Sequence, residues 1–436
     1  MASVDCRMGE DSLKDRGVVI RHSTIDNRQS EGEAAASVRC SLTDMTEPHT
    51  RYRVLRFNRA EAGGALGDLG TFIPLLLAMV HQCGLQFGPS LLAAGALNIV
   101  TGLAFGIPMP VQPMKAIATV AIAEGMNEAQ ILTAGIVTGA IILLLGVTGL
   151  VDRLNQLIPK SVVRGLQLAL GLKLLTGGYS MIVGAGSWIG WDSIGLGIVC
   201  AGLVLLLYFS TRIPGALVVF GVGLAALLAA RPALIFETRL GMSWRLPDLS
   251  NPHDWLVGMW RGTLPQIPLT TLNSVIAVCA LSQDLFPRRT IRPRRVAVSV
   301  GLMNLVCCPF GAMPVCHGAG GLAGQYRFGA RTGGSVVMLG VAKMVLALLF
   351  GSSLLLWLQE YPNSVLGVLL LFSGLELSLV CRDQTGRVSF FVMLMTAGAC
   401  MAINTAVGFV IGWLIAVALQ WGVFRIEPPP RQTQKN

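Results

Sequence analysis

From residue 60 onward the chain reads as apolar runs of about 18–24 residues separated by short polar connections. At about 1.5 Å per residue, such a run crosses a hydrocarbon core about 30 Å thick as a single helix. The pattern predicts fourteen segments. The first seven lie near 62–82, 88–105, 108–125, 129–151, 160–184, 193–210 and 213–230. The second seven lie near 263–283, 293–309, 313–325, 334–358, 362–380, 388–403 and 405–422. The expected fold class is an all-α polytopic membrane protein.

Basic residues test this count independently, because cytoplasmic connections carry the excess of Lys and Arg. With Arg51, Arg53, Arg56 and Arg59 in the cytoplasm, the later cytoplasmic connections hold Arg153 and Lys160, then Arg212, then Arg288, Arg289, Arg292, Arg294 and Arg295. Arg327 and Arg331 follow, and finally Arg382 and Arg387. The opposite connections are nearly free of positive charge except 231–262, where Arg231, Arg239, Arg245 and Arg261 are almost balanced by Glu237, Asp248 and Asp254. One wrong segment would scramble this alternation, so both termini are expected in the cytoplasm. The Arg288–Arg295 cluster reads as a topology determinant.

Composition agrees. Only 13% of residues are charged and 53% are hydrophobic, whereas a soluble domain carries about 25% charged residues. A soluble enzyme, a nucleic-acid binder and a fibrous protein are excluded, and the net charge of +10 belongs to membrane-flanking loops. Residues 1–58 cannot bury a core and read as a disordered cytoplasmic tail. They lack the apolar stretch of a signal peptide and are too acidic for a transit peptide. A second short cytoplasmic tail is expected over 423–436. Cys307-Cys308 and Cys316-His317 lack the spacing of a structural zinc site, so no metal or cofactor is expected.

The two halves echo each other. Ile73-Pro74-Leu75 matches Ile267-Pro268-Leu269, Met109-Pro110-Val111 matches Met313-Pro314-Val315, and Pro159-Lys160-Ser161-Val162 matches Pro362-Asn363-Ser364-Val365, at offsets of 194, 204 and 203 residues. The organisation expected is a first seven-span repeat over 59–230, an extracytoplasmic loop over 231–262 and a second repeat over 263–422. Seven is odd, so the second copy enters from the opposite face. Inverted repeats of this kind are a secondary-transporter architecture with its site where the repeats meet.

Spans 3 and 10 are the anomalous ones. Pro108-Met109-Pro110-Val111-Gln112-Pro113 cannot be regular helix, and about a dozen helix-compatible residues follow it. Span 10 is loosened by Gly318, Gly320, Gly321 and Gly324. Each therefore predicts an extended stretch reaching the midplane, then a half-helix turning back. Two helix N-termini converge there, with free N–H groups and partial positive charge, which suits an anion. Lys115 and His317 add positive character, and a tetrahedral oxyanion fits.

These residues carry a resemblance. Gly67-Asp68-Leu69-Gly70-Thr71-Phe72-Ile73-Pro74-Leu75, the run Pro108–Ala118, Pro314-Val315-Cys316-His317-Gly318-Ala319-Gly320-Gly321 and Gln325–Arg331 resemble the molybdate transporters of plants, algae and fungi, a branch of the sulfate-permease superfamily. The resemblance covers about 60–422. It implies a seven-plus-seven inverted-repeat fold with core and gate domains, and high-affinity molybdate uptake. Sulfate permeases end in a cytoplasmic STAS domain, for which the residues after Trp421 offer no counterpart.

The candidate substrate-binding residues are Gln112, Lys115, His317, Cys316, Gly318, Gln266, Asn273, Thr71 and Thr270. Most have a plainer reading: Lys115 snorkelling or paired with Asp68, His317 as a packing histidine, Gln112 satisfying the broken backbone, Gln266 and Asn273 in interhelical hydrogen bonds, and the threonine hydroxyls back-bonded to their helix. Asp68, Lys173 and Glu376 are candidates for coupling or gating, since an ionisable group at membrane depth is costly. Lys173 and Glu376 occupy equivalent repeat positions as an opposite-charge pair. The partners expected are molybdate, membrane lipid, protons as coupling ion and a second copy in a homodimer, without nucleic acid. The plasma membrane is preferred to an internal one. A sulfate or broader oxyanion permease is the runner-up. A nucleobase permease should place carboxylates in spans 8 and 10, and the nearest is Asp284, just past span 8.

Overall fold

The computed structural model describes residues 55–423 and 426, apart from 152, 154–156, 211–212, 237–239, 288 and 290. Residues 1–54 of the expected N-terminal tail lie outside the described residues, as do nearly all of the second tail and Arg212, Arg239 and Arg288.

Helix occupies every apolar stretch singled out above. The order is α1 (Arg59–Cys83), α2 (Phe87–Phe105), a short strand β1 (Val111–Pro113), α3 (Lys115–Glu124), α4 (Glu128–Thr148), α5 (Lys160–Gly184), α6 (Ile194–Leu207) and α7 (Gly215–Ala230). Then come α8 (Pro252–Leu285), α9 (Pro293–Cys307), β2 (Val315–His317), α10 (Ala319–Arg327), α11 (Gly334–Gln359), α12 (Asn363–Leu379), α13 (Arg387–Ala402) and α14 (Thr405–Gln420). Among the described residues, seven helices are long and apolar enough to cross a membrane: α1, α2, α4, α5, α8, α12 together with the turn that extends it to Asp383, and the Gly334–Gly351 part of α11. The apolar helices α6, α7, α13 and α14 are shorter.

Local chemistry sets the boundaries. Asn127 and Gln130 form a capping box at the start of α4, and Asn404 caps α14 by accepting from Val407 N. Gly106 ends α2 in a left-handed conformation (φ 68°) that a side chain would disfavour. Asn251 caps the helix by accepting from His253 N at 3.1 Å, with Pro252 at its first position, so α8 starts earlier than hydropathy predicts and takes the last part of the 231–262 connection. It also carries two π-helical stretches, Gly258–Thr263 and Thr270–Ile276. In the remaining loop, the hydroxyl and then the N–H of Ser250 bond to Asp248 and hold its carboxyl below the usual carboxylate range.

The all-α expectation needs one correction. The two proline-bearing stretches do not simply run extended; they pair as an antiparallel two-stranded sheet, with Val111 opposite His317, Gln112 opposite Cys316 and Pro113 opposite Val315. Backbone groups that prolines deny to a helix must find partners at this depth, and the two stretches supply them to each other. Met114 N donates to Pro314 O at 2.9 Å. Helix side chains complete the support. Asn98 of α2 accepts from Val111 N at 2.7 Å, and Asn304 of α9 accepts from Val315 N at 2.8 Å and donates to Val315 O at 2.7 Å. Both asparagines are fully buried.

The helices that frame the sheet are drawn together by small residues, as membrane packing requires. A Cβ on Gly95 of α2 would lie 2.7 Å from the carbonyl oxygen of Gly340 in α11. A Cβ on Gly171 of α5 would lie 2.6 Å from that of Gly374 in α12, and one on Gly178 would lie 2.4 Å from that of Gly367. The α5 and α12 axes therefore touch backbone to backbone and run antiparallel. Helices α4 and α9 meet likewise, Gly139 against Asn304 and Gly301 against Leu143.

Candidate functional site

A cavity of about 420 Å³ lies against the sheet and the start of both half-helices. Strand geometry decides which strand residues reach it, because neighbours on a strand point to opposite faces. Gln112 and Cys316, the paired central residues of β1 and β2, line the cavity. His317, the next residue along, is outside its lining. It is fully buried, with Nε2 3.0 Å from Ser299 Oγ and its ring edge-on to Phe105. His317 was expected beside the start of the second half-helix, adding to its positive character. The strand instead continues through it, and α10 begins two residues later.

Of the other candidates, Lys115, Gly318, Gln266, Asn273 and Thr71 line the cavity. Thr270 lies just behind, accepting from Gln266 Nε2 at 2.8 Å. The two half-helix starts differ. Gln266 Oε1 accepts from Ala116 N at 2.9 Å and from Ile117 N at 3.1 Å, so a protein amide already occupies the N-terminus of α3. No side chain caps α10. Its start faces Lys115: a Cβ on Gly320 would stand 3.8 Å from Lys115 Nζ.

Lys115 is not the partner of Asp68. The fully buried Asp68 carboxylate receives Gln112 Nε2 at 2.7 Å and Lys343 Nζ at 3.5 Å. Lys343, from α11, also rests 3.3 Å over the centre of the Phe72 ring. Asp68 is thus neutralised from the far side, and among the described residues Lys115 has no ion-pair partner. Gln112 Nε2 also donates to Thr71 Oγ1 at 2.9 Å, which fixes the amide orientation and turns Oε1 toward Gly318. A Cβ on Gly318 would lie 1.8 Å from that oxygen. Gln112 Oε1 and Thr119 Oγ1 are both buried in the cavity wall without a hydrogen-bond partner. Buried polar atoms of this kind call for a ligand or water.

Lys173 and Glu376 do not pair with each other. They lie just past the Gly171–Gly374 crossing of antiparallel helices, so their positions diverge. Lys173 Nζ binds Glu124 Oε1 at 2.6 Å, while Glu376 lines the cavity.

Sequence reasoning passed over several residues that the structure brings to the site. Thr119 stands one helical turn after Lys115, on the same face of α3. Asn98 and Asn304 carry a signal that was available, as asparagines at matching places in two apolar runs. Lys343 is a lone cation inside an apolar run, where a charge implies a function or a partner. Arg164 and Arg327 also line the cavity. Arg164 is held by both carboxylate oxygens of Asp383, at 3.1 Å and 2.8 Å, and donates to Gln167 at 2.7 Å.

With this geometry in view, comparisons with known proteins agree with the resemblance. A family model described as molybdate transporter of MFS superfamily matches residues 60–174 and 258–377. Molybdate transporter 1 of Arabidopsis thaliana is 40% identical over 435 residues, covering 91% of this chain and 95% of the relative. Molybdate transporter 2 of the same plant is 40% identical, covering 83% and 87%. Molybdate transporter 1 of Chlamydomonas reinhardtii is 36% identical, covering 86% and 93%. Among solved structures, SLC26A9 superposes with a TM-score of 0.61 at 14% identity, covering 94% of this chain and 73% of that one. The transmembrane domain of the cyanobacterial bicarbonate transporter BicA gives 0.59 at 15% identity, covering 83% and 99%. At these identities the two structures speak for the fold alone.

Proposed function

The chain belongs to the molybdate transporter family, and on that premise we propose that it carries molybdate across a membrane by alternating access, toward the cytoplasm. The observation that carries the site assignment is the uncapped N-terminus of α10 facing the unpaired Lys115 across the cavity. A dianion placed there meets the positive end of a helix dipole, free N–H groups and an ammonium, with the Thr119 hydroxyl in reach as a further donor. Gln112, Cys316, Gly318 and Thr71 form the wall around it, Gln266 and Asn273 its α8 side. Gln266 also keeps the start of α3 closed, which favours a single anion at the α10 end.

Our reading of the architecture is fourteen spans in two inverted repeats, 59–230 and 263–422, with both termini cytoplasmic. Two details support it. Gln112 and Cys316 are repeat equivalents and are paired with each other in the sheet. Gly171 and Gly374 are repeat equivalents and touch each other. A residue that meets its own counterpart sits on a two-fold axis, and two such pairs define one. The helix pairs α2–α11 and α4–α9 exchange under the same operation.

Import against a negative-inside potential costs a dianion about 4.6 kcal/mol per 100 mV, which favours coupling to protons at the plasma membrane. Asp68, held between Gln112 and Lys343, is the group placed to feel both substrate and proton. The test is uptake of nanomolar molybdate into yeast expressing the chain, with and without a large excess of sulfate. Uptake that persists under sulfate supports a selective molybdate importer. Uptake abolished by sulfate makes the chain a general oxyanion permease, and no uptake overturns the substrate.

A further inference from the structure

The two half-helices end in opposite charges. Glu124 is the last residue of α3, and Arg327 the last of α10. The long helices beside them carry the complementary signs at equivalent positions, Lys173 in α5 and Glu376 in α12. A carboxylate at a helix C-terminus opposes the macrodipole, so Glu124 needs a local reason to be there.

Only one of the two pairs is made. Lys173 Nζ lies 2.6 Å from Glu124 Oε1, with side-chain exposures of 12% and 15%. Thr405, at the start of α14, seals the junction, donating its hydroxyl to Glu124 at 2.9 Å and accepting from Lys173 at 2.9 Å. At the other end, Arg327 and Glu376 both face the cavity and form no ion pair with each other among the described residues. Tyr208 stands between them: Arg327 Nη2 reaches its carbonyl oxygen at 3.5 Å, and its side chain lies beside Glu376. Ile213 and Val380 also line the cavity at this end and, like Arg327, are exposed, whereas Leu75, Thr119 and Leu174, which line it toward Glu124, are buried, so its mouth is on the Arg327 side and its closed end on the Glu124 side.

We infer that Glu124–Lys173 and Arg327–Glu376 are the two alternating closures of the transport cycle, the first made in the state seen here and the second when the cavity opens on the opposite face. The β1–β2 pairing supplies the linkage. It ties α3 and α10 into one limb, so a displacement that draws Glu124 away from α5 carries Arg327 toward α12. Glu124 and Arg327 thereby become functional residues of transport, although neither touches the anion. The inference rests on the inverted-repeat reading and deepens it.

The test uses the full chain with Cys316 as its only cysteine, since that thiol lines the cavity. An impermeant maleimide is applied to intact cells and to inverted vesicles, and the ratio of labelling on the two faces is read alongside molybdate uptake. Lys173→Met should raise labelling from the face opposite Arg327, relative to the Arg327 face, by about tenfold, as a population shift. Arg327→Met and Glu376→Met should move the ratio the other way. Arg327→Glu combined with Glu376→Arg should restore the ratio and the uptake that either single reversal loses, which a merely misfolded variant would not do. Shifts in the same direction for both ends, an unmoved ratio, or no recovery in the exchanged double variant would each overturn the gate. If the ratios move as expected in a chain that takes up no molybdate, the gate stands and the substrate reading falls.

Discussion

The limb made of β1 and α3 and the limb made of β2 and α10 follow the same backbone course. Each is an extended, proline-marked stretch held by a buried asparagine from a neighbouring helix, Asn98 for one and Asn304 for the other. Each then turns into a helix of about ten residues. Their chemistry has diverged. The first limb supplies Gln112, Lys115 and Thr119 and has its helix start occupied by Gln266. The second supplies Cys316 and three glycines in its first turns and leaves its helix start bare. In the site we propose, the shared backbone course shapes the cavity and the difference in chemistry decides where in it an anion would bind: the first limb would give the cation and the second the N–H groups.

The largest way to break this division of labour is Lys115→Ala. It would remove the proposed charge-assisted contact, worth about 2–3 kcal/mol, so the KM for molybdate should rise about 30- to 150-fold while the protein still reaches the membrane. Radiotracer uptake against surface-labelled protein measures both. An unchanged KM would move the anion away from Lys115.

Next in size is Gln266→Leu, which attacks the closed limb instead. It leaves two buried N–H groups at the start of α3 without a partner, at about 1–3 kcal/mol. The melting temperature in detergent should fall, and excess molybdate should recover more of it than it adds to the parent chain, because the freed helix end offers a second site for an anion on the folded protein. A variant with unaltered melting would show that the Gln266 cap is idle.

Gly320→Ala is milder. Its Cβ fits, 3.8 Å from Lys115 Nζ, but takes space beside the bare helix start. The KM should rise about three- to fivefold, the cost of modest crowding, with expression and melting unaltered. Gly318→Ala makes the contrast, since its Cβ would collide with Gln112 Oε1 and force that amide off Asp68.

How much of this was legible in the sequence follows from what kind of signal each part leaves. Apolar runs have length, so the helices could be read in order. The echo between the halves could be read because Pro, Met and Val at fixed offsets leave a visible mark. The family was legible because its longest runs hold residues that line the cavity. What pairs across the fold left no mark along the chain. Nothing near Asp68 in sequence announces that Lys343, 275 residues away, meets its carboxylate, or that Lys173 would choose Glu124 over its repeat partner. The start of α8 was misplaced because Asn251-Pro252 is a capping signal inside a polar loop, which hydropathy does not register.

The smallest expected effect concerns His317, and it sharpens the comparison most. In sequence His317 looks like the second limb's counterpart to Lys115, a cation at the start of a half-helix. In the structure the two are not counterparts: Lys115 is the first residue of α3, whereas His317 is the last residue of β2, on the face turned away from the cavity toward Ser299 and Phe105. His317→Gln keeps a polar group for Ser299 but loses the ring contact with Phe105. It should lower stability by about 1 kcal/mol and leave the KM for molybdate within about twofold, less than Gly320→Ala despite the larger change in side chain. A rise in KM approaching that of Lys115→Ala would mean that β2 presents its other face to the anion. The register pairing Gln112 with Cys316 would then not be the one that binds substrate, because a one-residue slip exchanges the two faces of a strand.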